Sequence, residues 1–430
     1  MVRPVDREGS RVRAFALLWL ACVVVLFARR PDLLSNPQFY AEDGKLFFHD
    51  AVLNGLGSLV APYAGYHQLI PRVVALLALP LPAAAAPAAY AWVSVAIAAA
   101  CCAVLAPLLR GAIADPGLRA LAALGVAAAV PADEIIGSVA SLQWYLHLPM
   151  LTASLVVLPA RAAPVWRIAA MLVGFTTPQG LLAAPAAAFL WWRRRAGFDP
   201  WVATSYAGAS LLNIITSPPD AEGRATPHLA QAFAAVTAFR VGDAVALGKD
   251  GAMALAAHHL AVGVVLGVTL LAVLLAALAR RRSPVWAGVF AYLIAAPVAL
   301  VLATRSFDAA GFTGYTFFGA DRYFVAPCAA AVVALAALAA TIRRATLARA
   351  AAVAALGYGA CANFHEPHML PDDHWRASAP ALDVWRADRD GGLAAPAVGA
   401  SISPPLWYVA LPACAPGGRG GPFPRCPGAQ

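Results

Sequence analysis

The chain reads as a series of long apolar runs separated by short polar connections, and most of the runs are long enough to be membrane helices. A membrane-crossing helix needs about 20 mostly apolar residues, with roughly 17 at the short end. The pattern predicts spans near residues 14–28, 86–108, 118–131, 145–160, 165–177, 180–192, 199–215, 257–279, 285–304, 322–341 and 347–362. One more apolar segment, 67–82, holds Arg72 together with Pro71, Pro80 and Pro82. An arginine inside an apolar stretch is expensive unless it pairs or faces a polar cavity, so this segment is read as re-entrant or interfacial. The fold expected is an all-α polytopic membrane protein with about 11–12 transmembrane helices.

The polar connections carry an orientation. Short loops rich in Lys and Arg stay in the cytoplasm. The N-terminus (Arg3, Arg7, Arg11, Arg13) and the clusters at Arg110–Arg119, Arg161–Arg167, Arg193–Arg195, Arg280–Arg282 and Arg343–Arg349 all fall on one side if 67–82 does not cross. Arg29 and Arg30, just after the first span, run against that pattern. The first span, with its basic flank and no small-residue cleavage site, reads as an uncleaved signal anchor. The expected arrangement is a multi-pass protein of the bacterial inner-membrane type, N-terminus cytoplasmic, with its ionisable chemistry exoplasmic. Residues 1–362 form the transmembrane domain and 363–430 an exoplasmic tail rich in Pro, Gly and Trp. Within the first outer loop, 29–66, residues 39–53 set Phe39, Leu46, Phe47, Ala51 and Val52 against Glu42, Asp43, Lys45 and Asp50. That pattern predicts an amphipathic helix lying along the membrane surface. The later outer segments are 131–147, the 216–256 loop and 305–323.

Composition narrows the class further. Of 430 residues, 61% are apolar and 12% charged, with a mean hydropathy of +0.70. A soluble domain has roughly 45–50% apolar and about 25% charged residues, so a soluble enzyme, a disordered chain and a nucleic-acid binder are excluded. The net charge of +9 belongs to the cytoplasmic clusters. Five cysteines (Cys22, Cys101, Cys102, Cys328, Cys361) sit in or beside apolar runs, where packing explains them. Cys414 and Cys426 share the tail, where an exoplasmic setting permits a disulfide; the sequence leaves the pairing open. No phosphate-binding P-loop, dinucleotide glycine fingerprint, HExxH or GxSxG occurs. That removes support for ATP-driven pumps, zinc proteases and α/β-hydrolases.

Several outer segments hold candidate chemistry. Glu42-Asp43 is an adjacent carboxylate pair, suited to a general base or to holding a divalent cation, and equally suited to starting a solvated helix. GYHQLIPR, 65–72, offers His67 and Arg72; the arginine suits a lipid phosphate or simple snorkelling to the headgroups. Asp133 and Glu134, followed by Gln143, Trp144, Tyr145 and His147, form a second acidic and aromatic cluster, read either as an acceptor or second acidic site or as an interfacial belt. The TTPQG turn, 176–180, must face protein or water rather than lipid, as a wall of a site or as a plain hairpin. Arg305, Asp308, Asp321, Arg322 and Tyr323 surround the fourth outer segment, where the arginines are candidates for phosphate; Arg240 and Lys249 are weaker ones. In the tail, FHEPHMLPDDHW (364–375) has metal-binding composition without a closed zinc spacing.

An N-terminal anchor, a long first outer loop with an acidic pair, many short spans and an outer tail together resemble the GT-C superfamily of integral membrane glycosyltransferases. The residues that carry the likeness are AEDG (41–44), GYHQLIPR (65–72), LQWYL (142–146) and DRYF (321–324). The chain departs from the pattern in lacking a clear Asp-x-Asp and a large soluble C-terminal domain. The resemblance implies transfer of a sugar from a polyprenyl-phosphate donor to an exoplasmic hydroxyl of a glycan, lipid or protein, with inversion. It implies Glu42 or Asp43 as general base and Arg72, Arg305 or Arg322, with His67 nearby, at the donor phosphate. No organic cofactor is implied, and a divalent cation stays open. The alternative class is a lipid-linked-sugar flippase or other transporter. Transporters place charges at mid-helix, whereas here charge crowds the loops.

Overall fold

The structure is a computed structural model that describes residues 4–131, 135–194, 200–217, 228–304, 321–342, 346–362, 370–404 and 406–414. It is 77% helical, and the only paired strands among the described residues are two small antiparallel hairpins. Six described helices are long and apolar enough to cross a membrane: Gly9–Arg29, Ala83–Gly111, Leu229–His258, Leu260–Arg281, Pro284–Thr304 and Asp321–Ala339. This is a helical membrane protein. The other expected spans are helices too, but shorter, such as Pro116–Ala129, Leu142–Leu155, Ala163–Gly174 and Trp201–Ile215. Local chemistry sets those lengths. Pro116–Ala129 starts where the Asp115 carboxylate accepts from Leu118 N at 3.0 Å, with proline in its first turn. It ends because Val130 precedes Pro131 and takes an extended conformation.

The two arginines that ran against the charge pattern are structural. Arg29 Nη1 donates to Ala127 O at 2.8 Å and to Val130 O at 2.9 Å. It thereby closes carbonyls that the end of Pro116–Ala129 leaves unpaired. Arg30 grips Asp32 through two bonds of 2.9 and 2.7 Å. The segment 67–82 contains a helix of only ten residues, Leu69–Ala78. At about 1.5 Å per residue that covers roughly half of a 30 Å hydrocarbon core.

The 216–256 stretch, expected as an outer loop with weak helical character after its polar start, is strongly helical in its second part. From Leu229 to His258 it is a long helical segment of spanning length. Arg240, Asp243 and Lys249 break the hydropathy of this stretch and hid it. Two of them share one partner in the fold: Arg240 Nη1 lies 2.5 Å from Asp321 Oδ1, and Lys249 pairs with the other oxygen of the same carboxylate. The segment is also irregular, with a π-helical turn at Ala238–Asp243 and a break at Gly248, φ 74°.

The surface helix expected over 39–53 is likewise changed. Asp43–Phe48 is a π-helical turn that continues into His49–Asn54. Its apolar side is covered by protein and not by lipid: Phe39 packs edge-on against Trp375 at 4.7 Å and Tyr90 at 5.0 Å, and Phe48 against Trp375 at 5.7 Å. The cover is the tail, whose helix Trp375–Asp390 is followed by the hairpin Val398–Ile402 and Trp407–Leu411. Trp375 Nε1 bonds Ala83 O at 2.8 Å, and the Asp383 carboxylate accepts from Ala83 N at 3.0 Å. Cys414 is disulfide-bonded, Cys426 lies outside the described residues, and the other five cysteines are free.

Candidate functional site

Loop one, the 62–67 hairpin, the 176–180 turn and the ends of three helices enclose a cavity of about 530 Å³. Loop one contributes Tyr40 and Glu42, and the hairpin contributes Tyr63 and Tyr66. Gln143, Trp144 and His147 come from one helix, while Pro297, Leu300 and Val301 form an apolar wall from Pro284–Thr304. Gln68, Gln179, Arg322 and Tyr323 complete the polar side.

Glu42 and Asp43 go to different surroundings. The bend between them begins at Ala41, whose φ of 47° is rare for a residue with a side chain. Two backbone bonds to the tail hold it: Ala41 N donates to Ser403 O at 2.5 Å, and Ser403 N donates to Phe39 O at 3.3 Å. Glu42 then reaches the cavity, where its Oε1 accepts from the Tyr63 hydroxyl at 3.0 Å. Asp43 lies outside the cavity lining and is 2% exposed. Its oxygens accept from Ala140 N at 2.7 Å, Val139 N at 3.2 Å and Ser138 Oγ at 3.3 Å. Burial pushes the Asp43 carboxyl up to about 8, and Glu42 adds to the rise, although the Ala140, Val139 and Ser138 donors pull the other way. Asp43 fastens loop one to the 138–140 turn; Glu42 is the carboxylate that faces the cavity.

The hairpin that presents Tyr63 and Tyr66 turns through Ala64 and Gly65, with φ of 52° and 80°, the geometry of a tight two-residue turn. Burial pushes the Tyr66 phenol up to about 12, and burial together with the Glu42 charge also raises Tyr63. Both hydroxyls therefore stay protonated. Gln143 Nε2 donates to the Tyr66 oxygen at 3.0 Å. The TTPQG turn is a wall of the site, since Pro178 and Gln179 line the cavity. Its backbone is satisfied by helix Trp201–Ile215: Ser210 Oγ donates to Thr177 O at 2.8 Å and accepts from Gly180 N at 3.2 Å. Asn213 ties the helix end just before this turn to the hairpin, donating to Gly174 O at 3.0 Å and to His67 O at 3.2 Å.

Of the proposed phosphate-binding residues, Arg322 lines the cavity. Arg72 does not: it is 1% exposed, pairs with Asp50 at 2.9 Å and lies over the Phe47 ring at 5.3 Å. Burial raises Asp50, but hydrogen bonds from His49 and Arg72 outweigh it, so the carboxyl stands below its ordinary range. His67 lies beside the cavity, with Nε2 3.4 Å from Thr216 Oγ1. Trp144 and His147 both line the cavity; the Trp144 ring meets Tyr323 edge-on at 5.2 Å, and His147 Nδ1 lies 2.8 Å from the Tyr206 hydroxyl. Arg305, Asp308, Asp133 and Glu134 lie outside the described residues. So do His365, Glu366 and His368 of the tail cluster, whose Asp373 accepts from Ser403 Oγ at 2.6 Å. Among the described residues no group of three or more His, Cys, Asp or Glu side chains converges as a metal site.

Tyr63, Tyr66, Gln68 and Gln179 were not singled out as site residues from sequence. The signal for the tyrosines was their symmetric placement about Ala64-Gly65; the glutamines lay inside two segments that were noted as wholes, Gln68 in GYHQLIPR and Gln179 in the TTPQG turn. Searches of known protein families, curated proteins and solved structures found no match to this chain. Chemically, the described residues bring together one carboxylate, one guanidinium, neutral amides and several aromatic rings beside an apolar wall.

Proposed function

We propose that this protein is a GT-C-type membrane glycosyltransferase that moves a sugar from a polyprenyl-phosphate donor to a hydroxyl of a glycan, lipid or protein outside the cytoplasm. The observation that carries the reading is that Glu42 and Arg322 line one cavity. Glu42 takes the proton of the acceptor hydroxyl as its oxygen attacks the anomeric carbon. The bond from that carbon to the phosphate oxygen breaks on the opposite face, so configuration inverts. The departing phosphate gains negative charge, which Arg322 stabilises. Pro297, Leu300 and Val301 give the cavity an apolar side, as a lipid-borne donor requires. No step calls for a nucleotide, in keeping with the absence of glycine-rich phosphate loops.

A second reading, a lipid-linked-sugar flippase, draws on Arg240, Asp243 and Lys249 within the spanning-length helix Leu229–His258. Charges at such positions often mark transport paths. Here Arg240 and Lys249 both converge on Asp321, which favours an internal brace over a path. Purified protein incubated with labelled polyprenyl-phosphate sugars and membrane acceptors should form glycosylated product. Scrambling of the labelled lipid across vesicles without product would reverse the order of the two readings.

A further inference from the structure

Helices Gly180–Arg194 and Pro284–Thr304 reach the cavity at one end, through Leu182 on the first and Leu300 and Val301 on the second. Their other ends border an open cleft of about 440 Å³ lined by Arg193, Arg282, Ser283, Val285 and Trp286. The exposed Arg193 guanidinium lies over the Trp192 ring at 5.7 Å. Arg282 comes from the two-residue link between Leu260–Arg281 and Pro284–Thr304. Ser283 Oγ accepts from Val285 N at 3.2 Å and keeps a hydroxyl proton to give. No carboxylate is among the described residues that line the cleft.

Trp286 also lines a second hollow, an apolar groove of about 70 Å³. Trp286, Val289, Phe290 and Leu293 stand three or four residues apart, so they form one face of their helix, and Leu151 and Leu155 supply the facing wall. The one hydroxyl in the groove, Thr152, already donates to Leu148 O at 2.8 Å. The volume is less than half that of a cavity known to hold benzene, roughly 150 Å³. It admits a hydrocarbon chain and no sugar ring.

We propose that cleft and groove together bind one anionic phospholipid, its phosphate between Arg193 and Arg282 and one acyl chain running past Trp286 into the groove. This site is separate from the cavity and does not depend on the transferase reading. A guanidinium matches a phosphate with two parallel hydrogen bonds. Basic residues at a membrane surface favour anionic lipid by about fivefold each. A zwitterionic lipid carries the same phosphate but brings an ammonium to a cleft with two cations, and that repulsion removes the gain. A free phosphate would leave the groove unfilled.

The test is native mass spectrometry of the full chain, delipidated in neutral detergent and titrated with dioleoyl phosphatidylglycerol, dioleoyl phosphatidylethanolamine or glycerol 3-phosphate. The first phosphatidylglycerol should bind at least about fivefold more tightly than phosphatidylethanolamine, and glycerol 3-phosphate should not be retained. Arg193→Gln with Arg282→Gln should bring phosphatidylglycerol down to the level of phosphatidylethanolamine. Arg11→Gln with Arg13→Gln removes the same charge from exposed positions of the first helix and should keep the preference. Val156→Trp, at a half-buried position of the groove wall, should weaken both lipids alike. The proposal is overturned if the two lipids bind equally, if both arginine pairs act alike, or if the cleft pair has no effect. Glycerol 3-phosphate binding as tightly as the lipid, or Val156→Trp changing neither lipid, would equally overturn it.

Discussion

Neighbouring carboxylates have opposite fates here because of a single backbone bend. At Ala41 the chain takes a left-handed conformation, after which Glu42 meets Tyr63 in the cavity and Asp43 meets the backbone of 139–140. Burial lifts Asp43 from 3.8 to about 8, so the folded state holds its proton more tightly than the unfolded state. The stability this group confers is full below about pH 4 and is lost as pH rises through about 8. The thermal stability of the wild type should therefore fall between pH 5 and pH 8. In Asp43→Asn that dependence should vanish, while overall stability falls by about 1–2 kcal/mol, because one backbone N–H then faces the amide nitrogen. Arg72 makes a matching case for structure. Arg72→Leu strands Asp50, and should cost about 2–3 kcal/mol in urea unfolding, below the range for a fully buried pair because Asp50 keeps some water. It should change the affinity for lipid phosphate by less than about twofold.

At the scale of elements, the tail works as a clamp on loop one. The packing leaves no room for a side chain at Gly44, where an added Cβ would stand 2.8 Å from Ile402 Cδ1 and 3.1 Å from Val409 Cγ2. Gly44→Ala should thus destabilise the clamp by about 1–3 kcal/mol, as overpacking does, and lower activity through displacement of Glu42. Gly57→Ala, with its nearest atom 3.9 Å away, is the control and should leave activity unchanged. The clamp was not legible in the sequence. The apolar face of 39–53 was plain, but Phe39 and Phe48 look the same whether lipid or Trp375 covers them. The helices were legible because long apolar runs have few alternatives. Leu229–His258 reads as a loop because Arg240, Asp243 and Lys249 lower its hydropathy, and the Asp321 carboxylate that Arg240 and Lys249 share lies about 70–80 residues further along, where hydropathy does not register it.

At the scale of the molecule, the two irregular apolar segments set the topology. Leu69–Ala78 is too short to cross, and Leu229–His258 is broken at Gly248. The arginine clusters keep to one side, as the positive-inside rule requires, if all eleven expected spans cross and these two segments do not. Glu42, Trp144, His147 and Arg322 were readable as candidates because charged and aromatic residues at span ends are few in so apolar a chain. Their convergence was not readable, since it depends on the 62–67 hairpin and on the turn that Ser210 and Asn213 hold in place. The measurement that bears most directly on the account is single-turnover sugar transfer from a polyprenyl-phosphate donor by wild type and Glu42→Gln, with donor binding measured alongside. Glu42→Gln should bind donor as the wild type does and transfer at least about 100-fold more slowly, the loss expected on removing a general base. Transfer at the wild-type rate by this variant would contradict it.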